Sequence, residues 1–239
     1  MDKPIIAEWT EKPWNPVTGC TKISSGCANC YAESQATWLK GMNNPRYKNG
    51  FELTLHEDLL EKPLHWRKPQ RIFTCSMSDL FHKSIPVEFL LRVFDTMNRC
   101  SQHTYLVLTK RSNRLAELSS KIKWTNNIWM GVTLEEEKYK GRIDDLRITG
   151  ARHKFISAEP LLSDLGYLEL TGIDWIFAGG ESGNKARPME EAWVVRIRDQ
   201  CHENNIMFTF KQWGGQNRKK NGSLLQGNYY HEMPHVMRD

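Results

Sequence analysis

Three of the chain's six cysteines, Cys20, Cys27 and Cys30, fall within the segment GCTKISSGCANCYA and are spaced C-x6-C-x2-C. Thiolates two residues apart can reach adjacent coordination positions of one metal centre, because the short loop turns both sulfurs the same way. Structural zinc takes four protein ligands, usually in paired knuckles, and this chain has no second C-x-x-C. A centre held by three thiolates keeps one position open, and an open position is what a reactive site needs. Two other readings stay open from the residues alone. One is a zinc site completed by a histidine such as His56, His65 or His82; the other is cysteines that bind nothing. Cys75, Cys100 and Cys201 stand singly in or beside apolar runs and read as small buried hydrophobes.

Such ligands need elements to hold them. Short apolar runs rich in β-branched and aromatic residues recur at 71–75 (RIFTC), 104–109 (TYLVLT), 127–132 (NIWMGV), 154–158 (KFISA), 174–178 (DWIFA) and 207–211 (MFTFK), and 5–9 (IIAEW) could open the series. Runs that are apolar throughout suit strands buried on both faces of a parallel sheet. Helical patterns lie between them, over 31–40, 86–99, 112–121, 135–148 and 190–204. The second begins at a proline and repeats apolar residues at a 3.6-residue spacing. The alternation predicts an α/β fold of βα units, either a partial or complete parallel (β/α) barrel or a doubly wound open sheet. Residues 1–215 read as one barrel-like domain with an irregular insertion near 41–69, followed by a tail over 216–239.

In parallel α/β folds chemistry gathers where the strands end. Just past the strand candidates stand Ser76-Met77-Ser78-Asp79, Thr109-Lys110-Arg111, Thr133, Glu159-Pro160, Gly179-Gly180-Glu181-Ser182 and Lys211-Gln212-Trp213. Each group alone could be an ordinary polar loop or helix cap. Their recurrence at one edge is the informative part.

The 239 residues suffice for one large domain or two small ones, and 39% hydrophobic with 26% charged residues is a globular composition. No apolar run is long enough for a membrane span, and the N-terminus lacks the pattern of a secretory signal. A cytoplasmic location follows as the expectation, with reduced cysteines. The net charge of +5, from 33 basic and 28 acidic residues, is compatible with a polyanionic partner and equally with a solvated surface.

Cys27-Ala-Asn-Cys30-Tyr31 resembles the second half of the radical S-adenosylmethionine (SAM) cysteine motif, although six residues separate the first two cysteines here where three are usual. Together with FTCSMSDLF, FISAEPLL, AGGESG-x-x-ARP and FKQWGG, the segment is similar to a phage-encoded family of radical-SAM-like proteins, over most of the chain from Trp9 to Gly215. The resemblance implies a barrel of radical SAM type. It also implies that Cys20, Cys27 and Cys30 hold a 4Fe-4S cluster whose fourth iron binds SAM, with Tyr31 beside the cluster or the adenine. Electron transfer from an external donor would then release a 5′-deoxyadenosyl radical that abstracts a substrate hydrogen.

The same resemblance places the SAM amino group near Ser76, Ser78 and Asp79, for which a helix N-cap is the structural alternative. Lys110 and Arg111 would face the SAM carboxylate or a substrate phosphate, with Thr133 in the same cofactor shell. Glu159, Glu181 and Lys211 are the expected catalytic groups, Arg187 points into the site, and Trp213 stacks on a base or an adenine. The implied activity is of isomerase or lyase type. It would modify or rearrange a nucleobase substituent in phage DNA, such as an amino-acid-modified thymine, in the host cytoplasm. A photoproduct-lyase-like repair enzyme and a zinc-stabilised nucleic-acid-binding module are the alternatives.

Overall fold

The computed structural model describes residues 12–234; the strand candidate at 5–9 lies outside them. In chain order the strands are β1 (Lys12–Trp14), β2 (Val17–Thr18), β3 (Thr54–Leu55), β4 (Arg71–Thr74), β5 (Thr104–Thr109), β6 (Ile128–Thr133), β7 (His153–Ala158), β8 (Trp175–Gly179) and β9 (Met207–Gln212). The main helices are α1 (Tyr31–Gly41), α2 (Val87–Arg99), α3 (Ser112–Leu118), α4 (Gly141–Arg147) and α5 (Glu191–Glu203). Seven strands form one sheet in the order β1-β4-β5-β6-β7-β8-β9, every neighbouring pair parallel. The sheet curls into a half-barrel with helices, an α/β fold. Spatial order follows chain order with no reversal, which distinguishes it from a doubly wound sheet.

Alternation along each strand separates two apolar layers. Tyr105, Val107, Met130, Val132, Ile156, Ala178, Phe208 and Phe210 face one way and pack with Leu90, Val93, Phe94 and Met97 of α2 and with Val194 and Ile197 of α5. Leu106, Trp129, Phe155, Trp175 and Phe177 face the other way and form a second, largely aromatic cluster edged by Phe73, Leu108, Met207 and Met233. Strands β6 and β8 are buried at every residue, which is why their sequences are apolar throughout.

Among the described residues the edge strand β1 pairs only with β4, and such an edge tolerates Pro13, which has no N–H to donate. The indole of Trp14 donates to the Leu59 carbonyl at 2.8 Å and so ties the 41–69 insertion to the sheet. That insertion consists of short 3-10 turns and β3, which pairs antiparallel with β2. Beyond β9 the chain returns along the strand: Phe210 N–H donates to the Tyr230 carbonyl at 2.9 Å, and Glu232 N–H to that of Phe208 at 3.2 Å. The tail therefore shields a strand edge.

The pattern at 135–148 predicts one helix, but only α4 and a separate 3-10 turn over Glu137–Tyr139 form. The reason is Glu135, whose side chain is fully buried and whose carbonyl accepts the Leu162 N–H at 2.8 Å, so its backbone serves a loop contact. The 112–121 pattern ends as an α-helix at Leu118 and finishes as a 3-10 turn. No helix among the described residues is long and apolar enough to cross a membrane.

A Cβ on Gly131 would lie 2.4 Å from the Phe155 ring, so glycine keeps room for the aromatic layer. Gly131→Ala should destabilise the protein by about 1–3 kcal/mol, read from urea unfolding midpoints. An unchanged midpoint would show that the ring has space to move.

Candidate functional site

The cysteine loop runs between β2 and α1, and contacts along its length dock it on the strand ends. Gly19 N–H donates to the Met77 carbonyl at 3.0 Å and Cys20 N–H to that of Phe51 at 3.2 Å. The Ser24 hydroxyl donates to Glu135, the Ser25 hydroxyl to Glu136, and Ser25 N–H to the Tyr139 hydroxyl at 3.3 Å. Gly26 passes so close that a Cβ there would stand 2.4 Å from Glu135 Cγ. Further along, Asn29 Nδ2 donates to Glu181 Oε2 at 3.0 Å and to the Lys185 carbonyl at 2.8 Å. All three thiols of the loop are free and partly buried.

Cys20 faces a guanidinium. Arg111 Nη1 lies 3.5 Å from its Sγ and 2.9 Å from Asp79 Oδ2, while Nη2 donates to the Thr21 carbonyl at 2.8 Å. Asp79 is expected to receive an ammonium group; here its two oxygens already accept four protein donors. They come from Phe81 N–H at 3.0 Å, Thr109 Oγ1 at 2.7 Å, Lys110 N–H at 3.1 Å and Arg111. No helix starts at Asp79, so it does not cap one either; it aims Arg111 at the cysteine loop. Ser76 and Ser78 also use their hydroxyl protons within the protein, on Asn15 Oδ1 at 3.2 Å and the Val17 carbonyl at 2.9 Å.

The neighbouring Lys110 is different. Its Nζ sits 3.4 Å from Thr133 Oγ1, and it has no carboxylate partner among the described residues. Burial raises the Cys27 thiol, but hydrogen bonds from Ile23 and Ser24 and the charge of Lys110 outweigh it, leaving Cys27 below the ordinary thiol value. Burial dominates at Cys20 and holds it above that value against the pull of Arg111. The two thiols are therefore unequal, with Cys27 the readier to ionise.

Across the strand ends, Glu159, Lys211 and Gln212 come together. Lys211 Nζ donates to Glu159 Oε2, and Gln212 Nε2 to Glu159 Oε1 at 2.5 Å. The ammonium also stands 5.3 Å above the Phe177 ring, at the edge of the aromatic layer. Tyr31 is exposed, and its hydroxyl donates to the Ser76 carbonyl, so the phenol bridges α1 and the loop after β4.

Glu181, an expected catalytic group, is engaged elsewhere. It accepts Arg187 Nε at 2.9 Å, Arg187 Nη2 at 2.6 Å and Arg187 N–H at 3.0 Å, besides Asn29. Burial alone would raise its pKa, but these donors hold the carboxyl below its usual range. Arg187 correspondingly faces Glu181, and the pair clasps the loop between Cys27 and Cys30. The glycines of AGGESG allow backbone to meet backbone. A Cβ on Gly180 would lie 2.0 Å from the Trp213 carbonyl oxygen, and one on Gly214 2.1 Å from that of Glu181. Trp213 packs edge-on against Phe210 at 4.9 Å, with its indole donating to the Leu224 carbonyl at 2.8 Å.

Several residues that matter here were not marked by the sequence patterns: Ser24, Ser25, Asn29, Glu135 and Arg142. Arg142 Nη1 pairs with Glu135 Oε2 at 2.6 Å and donates to the Thr133 carbonyl at 2.7 Å. The position of Glu135 two residues past β6 was the available signal. His56 Nε2 shares a 2.8 Å bond with Thr18 Oγ1. His82 Nδ1 accepts Ser84 N–H at 3.2 Å, which assigns the ring proton to Nε2 and makes it a donor to Thr21 at 2.8 Å. Among the described residues, no three His, Cys, Asp or Glu side chains gather as ligands of one metal ion.

The Glu181 clasp has a pH signature. A carboxyl with a depressed folded pKa stabilises fully above its usual value of 4.5, and that contribution is lost as pH falls through the lower folded value. Wild type should therefore unfold at higher urea than Glu181→Gln at pH 7, with the gap closing below pH 4.5. A gap constant down to pH 3 would exclude the clasp.

No curated protein and no solved structure matches the chain. The family model described as "Protein of unknown function (DUF5131)" matches residues 5–234, nearly the whole sequence. The chain belongs to the DUF5131 family.

Proposed function

We propose that this protein is a radical SAM enzyme of isomerase or lyase type, in which Cys20, Cys27 and Cys30 hold a 4Fe-4S cluster at the mouth of the half-barrel. One observation carries the reading: three partly buried thiols on a single loop, docked at the strand ends beside Lys110 and Arg111. In number and kind the donors suit such a cluster. Cys20, Cys27 and Cys30 would supply the three protein ligands of such a cluster. Two nearby cations offset the negative charge that three thiolates bring.

When bound, the cluster and SAM supply a one-electron cleavage that yields a hydrogen-abstracting carbon radical. The protein's own groups bind and orient. Lys110, a cation without a carboxylate partner, suits the SAM carboxylate, and Thr133 fixes its ammonium. Arg111, aimed by Asp79, faces Cys20. On the other side of the mouth, the Glu159–Lys211–Gln212 group offers polar contacts to substrate above an aromatic layer that excludes water. The substrate proposed is a nucleobase substituent, such as an amino-acid-modified thymine, in DNA or a nucleotide, with an external protein or small-molecule electron donor.

Oxygen-free purification followed by iron, sulfide and zinc analysis should find about four irons per chain. Dithionite should then elicit 5′-deoxyadenosine from SAM, and Cys27→Ala should lose both cluster and product. Stoichiometric zinc without iron, and no 5′-deoxyadenosine, would overturn the reading. Lys110→Met should retain iron but weaken SAM binding about tenfold or more, measured by calorimetry. Unchanged affinity would move the carboxylate contact elsewhere.

A further inference from the structure

Beside the Glu181 clasp lies a shallow, widely open cavity of about 510 Å³ lined by Ala186, Arg187, Pro188, Met189, Trp213, Gly215 and Asn221. Its walls come from two chain segments held together at the strand ends: Gly215 N–H donates to the Glu181 carbonyl at 2.7 Å, and Gly183 N–H to that of Gly215 at 3.1 Å. Trp213 and Met189 give the cavity an apolar side. The same two segments carry Lys185, Arg218, Lys219 and Lys220, of which Lys185, Lys219 and Lys220 are exposed. None of the four has a carboxylate partner among the described residues, in contrast to Arg46, Arg92, Arg147 and Arg196, each in an ion pair. Glu190 and Glu191 follow Met189 in the chain and are exposed.

Unpaired cations flanking an aromatic-walled cavity suit a ligand with repeated negative charge and flat apolar groups. We infer that segments 185–189 and 213–222 bind a single strand of nucleic acid, phosphates on the four cations and a base in the cavity against Trp213. A duplex keeps its bases stacked inside and could not fill the cavity. Arg187 lines this cavity and also holds Glu181, which holds Asn29 between Cys27 and Cys30, so the strand would run alongside the cysteine loop. The inference deepens the proposed function by giving the nucleic-acid substrate a place, and it rests on that reading only for its link to catalysis.

The test is fluorescence anisotropy of the anaerobically purified full chain with labelled oligothymidylate at several salt concentrations. Four phosphate contacts predict a slope of log K against log salt of about −3. The triple variant Arg218→Glu, Lys219→Glu, Lys220→Glu should bind at least tenfold more weakly while still forming 5′-deoxyadenosine from SAM without substrate. An abasic oligonucleotide of equal length should bind about fivefold or more weakly, because the cavity then receives no base. A slope near zero, wild-type affinity in the triple variant, equal affinity for the abasic strand, or equal competition by duplex DNA would each overturn the inference. Oligonucleotide binding without any 5′-deoxyadenosine would instead leave this surface standing and remove the radical reading.

Discussion

The site depends on one buried carboxylate. Glu135 is fully buried, and taking an ion out of water costs several kcal/mol unless its lone pairs are met. Arg142 meets one oxygen from α4, and the Ser24 hydroxyl meets the other. Gly26 presses against the same side chain, so the cysteine loop is part of how this charge is satisfied. Arg142 also lies 4.1 Å over the Tyr139 ring, whose hydroxyl in turn receives Ser25 N–H. Loop, turn and helix are thus coupled through one ion pair, and the placement of Cys27 follows from it.

The half-barrel supplies the rest of the frame. Parallel strands bring all their C-terminal ends to one rim, so residues far apart in sequence meet there without further design. Cys20 and Arg111 are 91 positions apart, and Glu159 and Lys211 are 52 apart. The aromatic layer reaches that rim beside Lys211 and holds one buried hydroxyl, Thr209, which accepts the Trp175 indole N–H at 2.9 Å.

Charges at the rim fall into two groups. Asp79, Glu135 and Glu181 are neutralised by arginines and serve as braces. Lys110 has no such partner, and the Glu159–Lys211 pair stands apart from the braces at the edge of the aromatic layer. The braces tie the cysteine loop and the strand ends together, whereas Lys110 makes no ion pair among the described residues.

The amino-acid sequence determined the α/β class, six of the seven sheet strands and the placement of three cysteines on one loop, because apolar runs and local spacing are properties of neighbours along the chain. It marked Asp79, Lys110, Arg111, Glu159 and Lys211 as rim residues by their place after those runs. It missed β1, three residues long with a central proline, and it drew a helix through Glu135. Partner choice was invisible: Glu181 and Asn29 are 152 positions apart, and Ser24 and Glu135 are 111 apart. Only the tertiary structure decided which acidic groups are braces and which cations stay without a carboxylate partner, because burial and pairing depend on what the fold brings into contact across those separations.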